Sequence, residues 1–366
     1  LLQLKILTIG FLLADIINLK WNCCKDDEDY IRLKDYFEQY DKAAEYDGNM
    51  LITHERFLNF NPNSEILEGR KVIIDEDIIR SVFATETVRN DDIRKALQND
   101  IFKEKSKERL TAILNGGEYQ KYDSRAGINI EEETPYQLNG INSNILDLLN
   151  AKVLIKDGMN TLYIKTKNFP CKSAVIMSAT ANADIYKWLL YMPITEYRCK
   201  EAEYMGTVNL YTDSTYSRNT LINGDNHDEL MKKIKEITGT SAVITFRAIE
   251  DKFCTEYHFG GIEGLNCLEG KNISVVGLPN VDEKVYKLYG MLMDINVEDK
   301  HISYMKTQYN GYEFWMNTFK DYRLRTIQMW LVESLLEQAV GRARLLRFDC
   351  TVNVFVRFPI DQSNPM

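Results

Sequence analysis

The stretch Gln338-Ala339-Val340-Gly341-Arg342-Ala343-Arg344-Leu345-Leu346-Arg347 sets three guanidinium groups directly behind one glycine. A planar, permanently charged fork can spread over the oxygens of a phosphoryl group in transfer, which is how a nucleotide-dependent motor uses arginine. The plainer reading is a solvated basic turn, since cations are favoured where a helix ends. A second group is Val72-Ile73-Ile74-Asp75-Glu76-Asp77, an apolar run that ends in acids. There Asp75 can hold Mg²⁺ and Glu76 can orient or deprotonate water, although acids also suit the start of a helix. A third, Ala174 to Thr180, ends in the hydroxyls of Ser178 and Thr180, which can relay hydrogen bonds or cap the helix that follows. A fourth runs from His258 through Gly260, Gly261, Glu263, Gly264 and Asn266 to Gly270. Its glycines let backbone approach a ligand closely, and Glu263 and Asn266 add polar groups. Gly264 to Lys271 is not a phosphate loop, because the glycines stand one residue too far apart, Asn272 replaces the required hydroxyl, and a strand follows.

Elements must hold these residues in place. Short apolar runs at Val72 to Ile74, Ala174 to Met177, Ala242 to Phe246, Ile273 to Val276 and Val352 to Val356 read as buried parallel strands. Helical spacing recurs at Glu28 to Tyr46, Ala183 to Leu190, Glu229 to Ile237 and Arg323 to Glu337. Such alternation predicts a doubly wound α/β sheet, whose functional residues are expected at the carboxyl ends of its strands. From about Arg80 to Asn168 the chain changes character, with a charged helical pattern at Asp91 to Leu114 and a hairpin pattern at Val153 to Ile164. This reads as an insertion, either a partner-contacting element or a solvated helical face. The aromatic-rich stretch Tyr304 to Tyr322, with Phe314, Trp315 and Phe319, can stack on bases, but its irregular spacing reads first as core.

Composition bounds the function. A chain of 366 residues, 45% hydrophobic, can bury two cores, and a net charge of −9 excludes gripping nucleic acid by bulk positive charge. Lys5, Asp15 and Lys20 interrupt the apolar segment Leu1 to Trp21, so it falls short of a membrane span. The seven cysteines form no C-x-x-C pair, and the four histidines lack ligand spacing. Reduced thiols and a cytoplasmic location without a zinc site are therefore expected. Because the first residue is Leu1, the chain reads as part of something longer.

In chain order the pieces run carboxylate strand, Ser178-Ala179-Thr180, Val243-Ile244-Thr245-Phe246-Arg247, the Glu263-Gly264-x-Asn266 loop, and Gln338-x-x-Gly341-Arg342. This order resembles the superfamily 2 helicase core, whose corresponding motifs are numbered II to VI. The path from Ile262-Glu263-Gly264 through Gly270 to Val275-Val276-Gly277-Leu278-Pro279 is most similar to the DinG/XPD type, as is Gln338 to Arg342. The resemblance spans Met50 to Arg357 and takes in Thr53, His54 and Arg56, which are similar to a DNA-contacting segment of the family.

The resemblance implies two RecA-like parallel-sheet domains. Residues 1–195 would form the first, truncated at its N-terminus and carrying an α+β insertion at 80–168, and residues 196–366 the second. It implies an ATP-dependent helicase or translocase that hydrolyses ATP with Mg²⁺ in a cleft between the domains. Its partner would be single-stranded or duplex nucleic acid, DNA before RNA. Asp75 would hold the metal, Glu76 would position water, Gln338 would contact the nucleotide, and Arg342 with Arg344 would stabilise transition-state charge. Ser178, Thr180, Glu263, Gly264, Asn266, Gly341 and Arg347 would serve the nucleotide cleft, and Thr53, His54, Arg56, Thr245 and Arg247 the nucleic acid. Three departures stand out: Asp75-Glu76-Asp77-Ile78 lacks the histidine of the DEAH form, Asn266 occupies an aspartate position, and the second arginine is either Arg344 or Arg347. No G-x-x-x-x-G-K-[ST] precedes Asp75, so this stretch alone is expected to be inactive as an ATPase, and no four-cysteine cluster supports an iron–sulfur domain. Two other readings remain open: an inactive helicase-like nucleic-acid-binding scaffold, and a motor subunit of a restriction, defence or mobile-element replication system.

Overall fold

The computed structural model describes residues 46, 48–60, 64–98, 102–123, 144–200, 202–239, 241–262 and 266–366. The apolar segment Leu1 to Trp21 and the expected helix from Glu28, apart from Tyr46, lie outside the described residues. Contacts divide the chain into two compact units, one ending at Ala179 and the other running from Thr180 to Met366.

In the first unit, β1 (Ile73–Asp75) pairs in parallel with β6 (Val175–Met177), Asp75 lying opposite Met177. The chain between them builds the insertion, an antiparallel sheet of β2 (Phe83–Arg89), β3 (Tyr119–Lys121), β4 (Val153–Asp157) and β5 (Asn160–Thr166) in the order β2-β5-β4-β3. Helix α1 (His54–Leu58) and the short α2 (Ile79–Val82) precede the sheet, and α3 (Asn90–Gln98), α4 (Glu104–Asn115) and α5 (Asn144–Leu149) belong to the insertion. Ile93, Leu110, Ile113 and Leu148 from these helices pack with Leu154 and Tyr163 of the sheet, so the insertion has a core of its own. The charged pattern at Asp91 to Leu114 forms two helices rather than one. The hairpin β4–β5 turns at Gly158, whose φ of +57° favours glycine. Asn90 latches that turn, its backbone N–H donating to the Met159 carbonyl (2.8 Å) and its side-chain amide to that of Gly158 (3.1 Å).

The second unit is a parallel sheet of six strands, β7 (Thr207–Tyr211), β8 (Ala242–Thr245), β9 (Tyr257–His258), β10 (Ile273–Val276), β13 (Thr351–Phe355) and β14 (Ser363–Pro365), in the order β14-β7-β13-β10-β8-β9. Every residue of β10 is buried, as a central parallel strand requires. Helices cover both faces. Val332, Leu336 and Ala339 of α11 (Tyr322–Val340) pack with Ile244, Val275 and Val354. Leu221 of α7 (Arg218–Asn223) and Ile234 of α8 (His227–Thr238) pack instead with Val243, Val276 and Phe355. Helices α6 (Ala183–Leu190), α9 (Glu250–Phe253) and α10 (Glu283–Leu292) complete the helical set.

Thus the expected class holds: α/β with parallel strands and an α+β insertion. The aromatic-rich stretch departs from its reading as core. Much of it forms an antiparallel hairpin, β11 (Ile302–Tyr309) and β12 (Tyr312–Phe319), turning at Asn310 and Gly311 with φ of +45° and +79°. Among the described residues no helix is long and apolar enough to cross a membrane.

Candidate functional site

In the first unit the acids divide their work. The carboxylate of Asp77 accepts the backbone N–H of Ile79 (3.0 Å) and so starts α2, the role an acidic helix start would assign to all three. Asp75 closes β1, and both it and Glu76 are exposed. The Glu76 backbone N–H donates to the Met177 carbonyl (2.8 Å), extending the ladder one residue beyond β1. Its φ is +81°, a conformation costly for a residue with a Cβ. Ser178 follows directly at the end of β6 and is half-buried, as is Thr180. Neither caps α6. Asn182 does, accepting the backbone N–H groups of Asp184 (3.1 Å) and Ile185 (3.2 Å).

Thr53 caps α1 by accepting the Arg56 N–H (3.2 Å), His54 is half-buried in the first turn, and the Arg56 guanidinium sits 5.2 Å from the centre of the Phe60 ring. An ion pair from Glu55 to Lys167 ties this helix to the chain beyond β5.

In the second unit α11 delivers the arginines. After Val340 the chain makes a 3₁₀ turn, Gly341–Ala343, and Arg344 adopts φ +57°. Ala343 and Leu345 are buried, so the intervening Arg344 is turned outward; Gly341 and Arg347 are also exposed, and Gln338 and Arg342 half-buried. Several segments pin this turn. The Gly270 N–H donates to the Ala343 carbonyl (3.1 Å), and the N–H groups of Met205 (2.9 Å) and Gly206 (3.2 Å) donate to that of Leu345. The Thr351 N–H donates to the Asn272 side chain (2.7 Å). A Cβ on Gly206 would collide with the Cys350 carbonyl, which explains glycine there. The exposed Asn266 lies four residues before Gly270, the residue of its loop that meets the arginine turn. Glu263 and Gly264 lie outside the described residues.

Asn266 and the arginine turn lie before the amino ends of β10 and β13, not at the carboxyl ends where the sequence placed candidate residues. Asp75, Glu76 and Ser178 do lie at the carboxyl ends of β1 and β6. Thr245, the last residue of β8, and Arg247 beyond it lie at the opposite, carboxyl edge. Thr245 is itself a correction, because it is fully buried and its hydroxyl donates to the Val276 carbonyl (2.9 Å), placing it out of reach of nucleic acid. Arg247 is exposed.

Two constellations escaped the sequence reading. His258, in register with Thr245, has Nδ1 3.2 Å from Glu250 Oε2. Glu333 and Glu337, one helical turn apart, are grouped with Asp361. Burial first, then Glu333 and Asp361, push the Glu337 carboxyl up to about 7. No motif announces either, since the partners come from separate elements.

No family model matches this chain, and no curated protein matches it. Among solved structures, the structure of S. tokodaii Xpd4 is similar at 13% identity with a TM-score of 0.43, over 82% of this chain and 76% of that one. Likeness at that level decides nothing about the chemistry.

Proposed function

We propose that the chain is the core of an ATP-driven nucleic-acid helicase or translocase, with DNA the favoured track. The observation that carries this reading is the pinned arginine turn: buried Ala343 and Leu345 and backbone bonds from Gly270, Met205 and Gly206 hold Arg342, Arg344 and Arg347 at one edge of a rigid sheet. In this reading the first unit supplies Asp75 and Glu76, which are free of the helix-starting duty that Asp77 performs. Glu76 would position the attacking water, and Arg342 with Arg344 or Arg347 would meet negative charge as the γ-phosphoryl group leaves. Ser178, Thr180, Gln338, Gly341 and Asn266 would orient nucleotide or water, as would Glu263 and Gly264. Arg247, Arg56, Thr53 and His54 would touch the phosphate backbone of the strand.

Asp75 and Glu76 offer exposed oxygen donors, while among the described residues no group of three or more His, Cys, Asp or Glu side chains gathers as a metal cage. That donor set fits Mg²⁺ carried with a nucleotide, which needs only one or two carboxylates beside phosphate and water. Mg²⁺ bound there would neutralise phosphate charge.

Asn266, an amide where the resembled family has a carboxylate, favours a second reading: a clamp that binds nucleic acid without turnover. One experiment separates the two. Glu76→Gln and Arg342→Ala, made in the full-length protein, are expected to lower strand-stimulated ATP hydrolysis by about 100-fold or more while strand binding persists. Near-normal turnover in both variants refutes the assigned roles, and no turnover in the parent protein selects the clamp.

A further inference from the structure

We infer that the outer face of the β11–β12 hairpin is a stacking platform for the bases of single-stranded DNA. This rests on the nucleic-acid reading above and names a contact surface that none of the motifs includes. One face of the hairpin belongs to the core: Met316 and Thr318 are buried, and Phe314 packs edge-on to Phe358. The opposite face presents Tyr304, Lys306 and Gln308 from β11, with Asn317, Trp315 and Glu313 directly across from them on β12. The Tyr304 and Trp315 rings stack on the diagonal, with centroids 5.4 Å apart and planes 24° apart, yet remain 52% and 48% exposed.

The hairpin is held fast. At its base, Glu283 Oε2 accepts the Ile302 N–H (3.3 Å), and Oε1 lies 3.1 Å from His301 Nδ1. At its tip, the Tyr309 hydroxyl (2.7 Å) and the Asn310 amide (2.8 Å) donate to Glu333. Also near the base, Gln328 accepts from the Thr318 hydroxyl (2.7 Å) and donates to the Asn317 carbonyl (2.9 Å). A pre-oriented aromatic pair loses little freedom on binding.

The charge pattern selects the occupant. Lys306 pairs with Glu313 at 2.5 Å, so the patch is close to neutral and offers two ring faces flanked by the amides of Gln308 and Asn317. That suits uncharged planar bases with hydrogen-bonding edges rather than phosphate. Two half-exposed rings are also too small a patch for a stable protein interface, which takes about 800 Å² from each partner.

The test uses the full chain, a fluorescent oligothymidylate of about 16 nucleotides, and an abasic strand of equal length. Trp315→Ala and Tyr304→Ala are each expected to weaken oligothymidylate binding by about 10-fold, leaving abasic-strand affinity and the salt slope unchanged. Trp315→Phe should bind nearly as the parent does, which separates ring stacking from damage to the fold. Parental affinity in Trp315→Ala overturns the platform while leaving the helicase reading intact. Failure of the parent to bind either strand overturns both. A dimer of the parent in sedimentation that Trp315→Ala dissolves assigns the face to a second copy and overturns the platform.

Discussion

Asp75, Glu76 and Asp77 show why residue type alone leaves roles open. Three adjacent acids look alike in sequence, but one oxygen of Asp77 is occupied by the Ile79 N–H, whereas Asp75 and Glu76 stay exposed. Glu337 makes a different residue-scale point. Its carboxyl keeps a proton up to about 7 in the folded chain, while the unfolded chain releases it near 4.5. Between those values the unfolded state binds fewer protons, so this contribution to stability is complete below the unfolded value and lost as pH rises through the folded one. Glu337→Gln, neutral throughout, is expected to gain on the order of 2 kcal/mol relative to the parent at about pH 8 and little at about pH 5, read from urea melts. An equal gain at both pH values would remove the carboxylate from the explanation.

At the scale of elements, the hairpin and α11 act together through Gln328. Its fully buried amide accepts from Thr318 and donates to the Asn317 carbonyl and to the Asn280 side chain (3.2 Å), joining the hairpin, the helix and the loop after β10. Replacing it with Leu keeps the bulk but leaves those groups unsatisfied, at an expected loss of about 2–4 kcal/mol. Chemical denaturation checks this, and a change under about 0.5 kcal/mol would show that water replaces the amide. The hairpin was itself legible: Asn310-Gly311 between alternating residues is a strong signal for a tight reversal. The surrounding aromatics obscure it, because Phe314 packs on the core while the neighbouring Trp315 is exposed, and side-chain type cannot tell those faces apart. Strands β8, β10 and β13 were readable for the opposite reason. A strand covered on both faces is apolar along most of its length, as in the Val-Ile of β8, the Val-Val of β10 and the Val-Phe of β13, and that run does not depend on register.

For the whole molecule, the extended segment after α6 is its exposed link in sequence between helix and sheet, with Arg198 and Lys200 both open to solvent. Limited trypsin digestion is expected to cut there before the described helices of the insertion or helix α11 on the six-stranded sheet; first cleavage within α4 or α11 would contradict the order of burial. By itself, the sequence determined the class of fold, strands β8, β10 and β13 with helices α8 and α11 of the second unit, and the acidic and arginine-bearing ends where elements meet. Those follow from local periodicity and from charge at element boundaries, which neighbouring residues suffice to set. Only the tertiary structure decided that Asn182 caps α6 in place of Ser178 and Thr180, and that Thr245 is buried with its hydroxyl on the Val276 carbonyl of the neighbouring strand. It alone joined Gly270 to the arginine turn at the amino edge of the sheet and left Tyr304 and Trp315 outside the core. Each of these depends on which distant segment lies alongside, and contacts between segments far apart in the chain leave no periodic trace in the residues that make them.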